Sequence, residues 1–318
     1  MQKNLLPGVA LILVSVLSWG GQAPVSKIAL EYVDGYALTL ARNLLALPIF
    51  AALLLWREGR AAFAYDGGFV ASTFYGTLGF VGFGLLFFIG VSYSLPEHAV
   101  IILSLQPALA ALWQWLARGR RPPAFTLACI ALCVCGLLLV VTKGNLAATL
   151  DSGTWFGDLL LFGAALCWMV YTAGVARFAH WSPLRYTTMS ALPAALVLVV
   201  VVAAAGLAGQ THLPSMAAVD AIGAHMAFLV LVTAVVAGIA WNAGVRELGA
   251  LNALLLGNLV PVVTFAIRIA QGHHFLAIEF FGAGLVIVSL VANNVYTRQR
   301  LGKNSRRREM ASKVRKDG

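Results

Sequence analysis

Apolar runs of about twenty residues recur along the whole chain, and they constrain its fold more than any other feature. A helix of that length spans the roughly 30 Å hydrocarbon core of a bilayer. Ten such runs can be distinguished, at residues 6–29, 36–56, 68–92, 97–117, 123–142, 156–177, 184–208, 221–244, 250–270 and 276–296. Because little chain remains between them, the sequence predicts an all-α integral membrane protein with ten transmembrane helices.

The composition agrees with this class. Hydrophobic residues make up 60% of the chain and charged residues 11%, whereas about a quarter of a soluble domain is charged. The mean hydropathy is +0.86. The first run has no convincing cleavage site, so we expect it to remain as a membrane span. The predicted location is the inner (plasma) membrane of a bacterial-type cell.

Lysine and arginine residues set the predicted orientation. If the N-terminus is cytoplasmic, most of them fall on cytoplasmic connections, and so does the C-terminus. The formal net charge is +10, and the tail at 298–318 carries nine of the 22 Lys and Arg residues. Anionic lipid headgroups attract such a tail by about 1 kcal/mol per residue. The predicted partner is therefore the lipid bilayer and not nucleic acid.

Landmarks of the first half recur in the second half in the same order. The matched pairs are Gly8 with Gly157, Trp19 with Trp168, Pro48 with Pro193, Ala99 with Ala253, and Pro107 with Pro261. Each half contains five runs, and an odd number makes the second copy enter the membrane from the opposite side. We expect a first repeat at 1–148, a second, inverted repeat at 149–297 and a basic cytoplasmic tail at 298–318. Alternating-access carriers commonly have inverted repeats, with the substrate between them.

Several segments resemble one family of carriers. They are SVLSWGGQAPVSKIAL in the first run, TLARNLLALPIF in the second, and LSLQPALAAL and GNLVPVVTF in the fourth and ninth. They resemble the EamA-type branch of the drug/metabolite transporter superfamily, and the resemblance covers residues 5–297. It implies an inner-membrane carrier, usually an exporter of small metabolites such as amino acids. Where that family often has Gly-Glu, this chain has Gly119-Arg120 and Gly272-His273, so no role is carried over for those glutamates.

Arg42 lies seven residues inside the second run, where a charge costs at least a few kcal/mol. Four partners are compatible with this position. The side chain can extend outward to the headgroups, pair with Glu97 at the start of the fourth run, or bond backbone carbonyls. It can also hold a substrate carboxylate, which matches the planar guanidinium. The sequence leaves this choice open.

Polar and amphipathic side chains within the runs define the predicted substrate site, because such groups need a partner or a wet cavity in the membrane. The predicted substrate-binding residues are Trp19, Gln22, Arg42, His98, Gln106, Trp168, Tyr171 and Asn258. The two tryptophans fit either cavity lining or helix packing. Gln106 and Asn258 fit either substrate binding or a carbonyl left free by a neighbouring proline. His98 fits an interfacial histidine or a titrating group.

The polar residues and motifs of the sequence also indicate which kinds of function to expect. No acidic residue lies in the interior of a run, which disfavours a pump for cationic drugs. The HEXXH and GXSXG motifs and metal-spaced His/Cys sets are absent from the sequence, so we expect no enzyme, cofactor or metal site. The sequence thus favours a carrier of small polar metabolites, with amino acids as the leading class and export as the direction. The alternatives are a proton-coupled exporter of drugs or toxic compounds, and a non-transporting membrane sensor or scaffold.

Overall fold

The computed structural model describes residues 6–119, 121–145, 147, 153–212, 214–249, 253, 256–293, 295 and 296. These residues are helical, with no strand among them, and seven of their helices are long and apolar enough to cross a membrane. The prediction of a helical integral membrane protein is therefore confirmed. The basic tail at 298–318 and the predicted boundary between the halves at 148 and 149 lie outside the described residues.

The helices follow the apolar runs closely. They are α1 Leu6–Gly20, α2 Gln22–Ala29, α3 Gly35–Glu58, α4 Phe69–Tyr93, α5 Pro96–Ser104, α6 Gln106–Arg118, α7 Ala124–Thr142, α8 Thr154–Arg177, α9 Pro183–Leu207, α10 Met216–Leu248, α11 Val260–Ala270 and α12 Ala277–Asn293. The pair α1 and α2 makes one span, interrupted only at Gly21. The fourth run is divided between α5 and α6, and the last two runs contain the shorter helices α11 and α12.

Prolines explain two of the interruptions. Pro107 is the second residue of α6, and Pro261 is the second residue of α11. Proline has no N–H and clashes with the preceding turn, but it is well tolerated in the first turn of a new helix. The helical path therefore breaks at Leu105 and at residues 258–259. Each break leaves backbone polar groups at the depth where a polar side chain also lies.

Glycines bring the two halves into close contact. α1 packs along α10, and α8 packs along α4. A β-carbon on Gly8 would lie 2.8 Å from the Leu248 side chain, and one on Gly157 would lie 2.6 Å from the carbonyl oxygen of Gly90. Both distances are shorter than real β-carbon contacts allow. The matched glycines thus make the same kind of contact with the halves exchanged.

Two π-helical segments also occupy matching positions in the two halves. They lie at Thr77–Gly82 in α4 and at Phe228–Val236 in α10, and they overlap when Pro107 is aligned with Pro261. α9 packs on the first segment, α3 packs on the second, and α3 and α9 pack on each other. π segments widen a helix locally and often occur at functional sites. These helices surround the centre of the molecule.

Candidate functional site

A cavity of about 120 Å³ lies between the helices of the two halves. An ordered water needs about 10–15 Å³ of such space, so the cavity accommodates a small solute. Its polar lining residues are Gln22, Arg42, Asn43, Ser104, Gln106, Tyr171, Thr187, Thr233, Asn242 and Asn258. Its aromatic lining comes from Trp19, Phe50, Phe80, Phe83, Phe87, Trp168 and Trp241. No acidic side chain is among the described lining residues.

The structure brings seven of the eight predicted site residues to this cavity. They are Trp19, Gln22, Arg42, Gln106, Trp168, Tyr171 and Asn258. Their contact with a substrate stays a prediction. What the structure adds is that residues from distant parts of the chain meet at one place.

His98 is the exception. It is buried at the start of α5, and its Nδ1 lies 3.1 Å from Oδ1 of Asp158 at the start of α8. Ser94 donates a hydrogen bond to the same carboxylate oxygen. His98 is not among the residues that line the cavity. These contacts connect the starts of α5 and α8.

Arg42 is buried, with 8% of its surface exposed, and it lines the cavity. Its Nε donates a hydrogen bond to the carbonyl oxygen of Leu229, 3.2 Å away, at the start of the π segment of α10. The guanidinium also lies over the ring of Phe88, 5.7 Å from its centre. Glu97, one of the partners considered from sequence, pairs instead with Arg268 and His273.

The consequence for Arg42 is electrostatic. Within the described part of the chain, no carboxylate forms an ion pair with its guanidinium. A carbonyl and an aromatic face offset only part of the free energy of burying a full positive charge. The cavity beside it is therefore positively charged and suits an anionic group.

Aromatic rings form the middle of the cavity wall. Trp19 Nε1 donates to the carbonyl oxygen of Thr233, 3.0 Å away. The Trp19 ring lies 5.5 Å from that of Trp168 and 5.1 Å from that of Trp241, measured between centres. Trp168 lies 5.2 Å from Tyr171. The tryptophans thus both pack against each other and line the cavity, and the rings favour an apolar or aromatic part of a solute.

Several buried polar atoms at the cavity have no hydrogen-bond partner among the described residues. They are Nδ2 of Asn258, Nε1 of Trp241 and Oδ1 of Asn242. Buried polar groups are nearly always hydrogen-bonded, to protein or to water. Asn258 lies at the helix break before α11. These atoms make the cavity complementary to a polar ligand or to ordered water.

Three further residues line the cavity that were not predicted from the sequence: Thr187, Thr233 and Trp241. A single hydroxyl in a helix commonly bonds its own backbone, as Thr233 does through the carbonyl of Leu229, 2.7 Å away, so it gives little signal. One signal for Thr187 was available: when Pro48 is aligned with Pro193, Thr187 takes the place of Arg42.

A second polar cluster ties helix ends together. Glu97, fully buried at the start of α5, lies 3.4 Å from Arg268 in α11 and 3.4 Å from His273. Glu279, also fully buried, lies 3.3 Å from Lys143 at the end of α7. Oxygen and nitrogen atoms of Glu97, His273 and Glu279 lie within 4.8 Å of one another, a spacing that would suit a metal ion. Since Arg268 and Lys143 already neutralise the two carboxylates, we interpret the cluster as ion pairs.

This cluster predicts a loss of stability for Glu97→Gln. The change leaves Arg268 without its carboxylate, and breaking a buried ion pair costs up to about 3–5 kcal/mol. Arg268 is 23% exposed, so we expect roughly 2 kcal/mol, seen as a lower Tm in detergent. Asp66→Asn is the matched control, because that carboxylate is 52% exposed in its pair with Arg185. Equal Tm values for the two variants would contradict the interpretation.

A bundle of membrane-spanning helices around a polar, partly aromatic cavity is the form of a membrane transporter. The comparisons agree with that class. The chain matches the EamA-like transporter family over residues 6–142 and 155–295, and it belongs to this family.

Matches to two relatives and to a solved structure cover most of the chain. An uncharacterized transporter of Bacillus subtilis (strain 168), YrdR, is 31% identical over 94% of this chain and 95% of its own. A second from that organism, the uncharacterized transporter YyaM, is 28% identical over 86% of this chain and 88% of its own. A protein crystal structure superposes with a TM-score of 0.63 over 92% of this chain and 98% of that one. Its sequence is 18% identical, so this likeness concerns the fold alone.

Proposed function

We propose that the protein carries small carboxylate-bearing metabolites across the cytoplasmic membrane, with amino acids as the leading class. The observation that supports this most strongly is Arg42, a buried guanidinium that lines the cavity and has no ion-pair partner in the described chain. A planar carboxylate fits a guanidinium through two parallel hydrogen bonds. The bound carboxylate would supply the counter-charge that the cavity lacks.

Two inverted five-helix repeats, 1–148 and 149–297, are the proposed architecture. The exchanged contacts of Gly8 and Gly157 support it, as do the overlapping π segments of α4 and α10. The helix breaks at Leu105 and at 258–259 fall at matching positions as well. Such repeats can take up two mirrored arrangements, which is how alternating access works.

The proposed mechanism uses these features together. The two halves would rock about the α3–α9 contact and open the cavity to one side of the membrane at a time. The helix breaks before Pro107 and Pro261 provide positions at which backbone dihedrals can change. Both termini would face the cytoplasm and net transport would be outward, as the lysine and arginine distribution and the family suggest.

Counterflow in proteoliposomes tests the proposal. Purified protein would be reconstituted with an unlabelled solute inside, and uptake of labelled amino acids and other metabolites would be followed. We expect rapid exchange for at least one carboxylate-bearing solute and none for the same solute with its carboxylate amidated. Exchange of cationic compounds with proton movement would instead support a drug exporter. Folded protein that exchanges nothing across the panel would favour a sensor or scaffold.

A further inference from the structure

The contacts along α10 give a depth scale for the cavity. α1 lies against α10, with Ser15 Oγ 2.9 Å from the carbonyl oxygen of Ala237 and Trp19 Nε1 3.0 Å from that of Thr233. Arg42 bonds the carbonyl of Leu229, near one end of this scale. Asn242 lies thirteen residues further along the same helix; at ~1.5 Å per residue this is at most about 20 Å, and it is less here because part of the stretch is π-helical. Arg42 and Asn242 therefore stand toward opposite ends of the cavity, with Trp19 between them.

The Asn242 end contains a hydrogen-bond acceptor of fixed orientation. Thr187 donates its hydroxyl proton to the carbonyl oxygen of Pro183, 2.8 Å away, and its oxygen accepts from Asn242. The amide nitrogen of Asn242 donates to that oxygen at 2.7 Å and to the Tyr171 hydroxyl at 3.4 Å. The remaining oxygen, Oδ1, is buried with no hydrogen-bond partner among the described residues, on a residue that is 2% exposed and lines the cavity.

The matched positions of the two halves place this group opposite Arg42. Aligning Pro48 with Pro193 pairs Arg42 with Thr187. Aligning Pro107 with Pro261 pairs Phe88, whose ring lies against Arg42, with Asn242. In the first half this pair of matched positions holds a charged guanidinium against a ring. In the second half the same pair holds a neutral hydrogen-bond acceptor. The cavity is chemically different at its two ends.

We infer that Asn242, Thr187 and Tyr171 form a second subsite, which accepts a hydrogen bond from the end of the solute remote from its carboxylate. The ligand class is an elongated carboxylate with an apolar or aromatic middle and a hydroxyl, amide or amine donor at its far end. The inference rests on the proposed function and deepens it, because it assumes that Arg42 binds the carboxylate. An amino acid head alone does not bridge the two ends, since its ammonium and carboxylate are attached to the same carbon.

Matched solute pairs test this subsite by competition in the counterflow assay. The pairs are phenylalanine with tyrosine and, to reach further along the cavity, 5-phenylpentanoate with 5-(4-hydroxyphenyl)pentanoate. We expect the wild-type protein to prefer the hydroxylated member by about tenfold or more, because without it a buried acceptor stays unpaired. In Asn242→Leu the preference should fall to about onefold while exchange of the unhydroxylated member continues. Gln210→Leu, a similar loss of an amide at an exposed position outside the cavity lining, should keep the preference.

The outcomes separate the two proposals. If wild-type protein exchanges both members of each pair equally well, the second subsite is wrong and the carrier function stands. If no carboxylate exchanges at all, the carrier function itself fails. Asn242→Asp keeps the shape and an acceptor, so it should retain the preference and increase that for 4-aminophenylalanine over phenylalanine. Loss of the preference in Asn242→Asp and Gln210→Leu alike would also contradict the subsite. The wild-type comparison decides the matter even if Asn242→Leu does not fold.

Discussion

Arg42→Gln is expected to reduce counterflow of carboxylate solutes by at least about 30-fold, because losing the charged partner of a buried carboxylate costs about 2–5 kcal/mol. The variant should nevertheless be as stable as the wild type or more stable. Within the described part of the chain the guanidinium has no ion pair, so its removal relieves a desolvation penalty and loses one hydrogen bond and one ring contact. Initial exchange rates and the Tm in detergent measure the two effects separately.

The control for this change is Arg57→Gln. Arg57 is exposed near the end of α3, over the ring of Trp56 at 4.7 Å, and we expect exchange and Tm to stay near wild type. Arg42→Lys keeps the charge but not the planar pair of donors, and should fall between the wild type and Arg42→Gln. A marked drop in Tm for Arg42→Gln would show that Arg42 is structural. Wild-type exchange in that variant would show that the carboxylate binds elsewhere.

Gly76→Ala is expected to destabilise the protein strongly, although it adds only one methyl group. A β-carbon on Gly76 in α4 would lie 2.0 Å from the backbone carbonyl oxygen of Ser190 in α9. Backbone atoms cannot rotate away as a side chain does, so α4 and α9 must separate. Overpacking usually costs about 1–3 kcal/mol and occasionally more, and we expect this contact to reach or exceed the upper value. The yield of folded protein and its Tm in detergent measure the effect.

Gly223→Ala provides the matched control. Gly223 lies in α10 with open space where the β-carbon would go. Alanine favours a helix over glycine by about 0.5–1 kcal/mol, so this variant should be slightly more stable than the wild type. If Gly76→Ala matched it, the contact between α4 and α9 would be looser than the structure describes.

Hydropathy and proline positions predicted much of the fold, because they act locally. A run such as 36–56 is long enough to span a membrane whatever surrounds it, and α3 occupies Gly35–Glu58. The breaks in the fourth and ninth runs follow from Pro107 and Pro261, which remove backbone donors. Their exact places were not predicted, since a proline permits either a kink or a new helix.

The candidate site was predicted in part. Trp19, Gln22 and Tyr171 line the cavity, as expected for amphipathic side chains deep in apolar helices, which need a polar partner or a wet cavity. His98 did not, because its partner Asp158 is sixty residues away in the chain and nothing local indicates that contact.

The amino-acid sequence alone was enough to indicate the class of this protein, the depth of its polar side chains and the matched order of landmarks in its two halves. These follow from the free energy of placing each residue in hydrocarbon, which depends on the residue and its position along a helix. Which polar groups meet depends on the tertiary structure. Glu97 pairs with Arg268, so that Arg42 has no ion-pair partner among the described residues, and Asn242 donates to Thr187. Such pairings depend on distances between helices far apart in the chain, and hydrogen bonds and ion pairs form only at those distances.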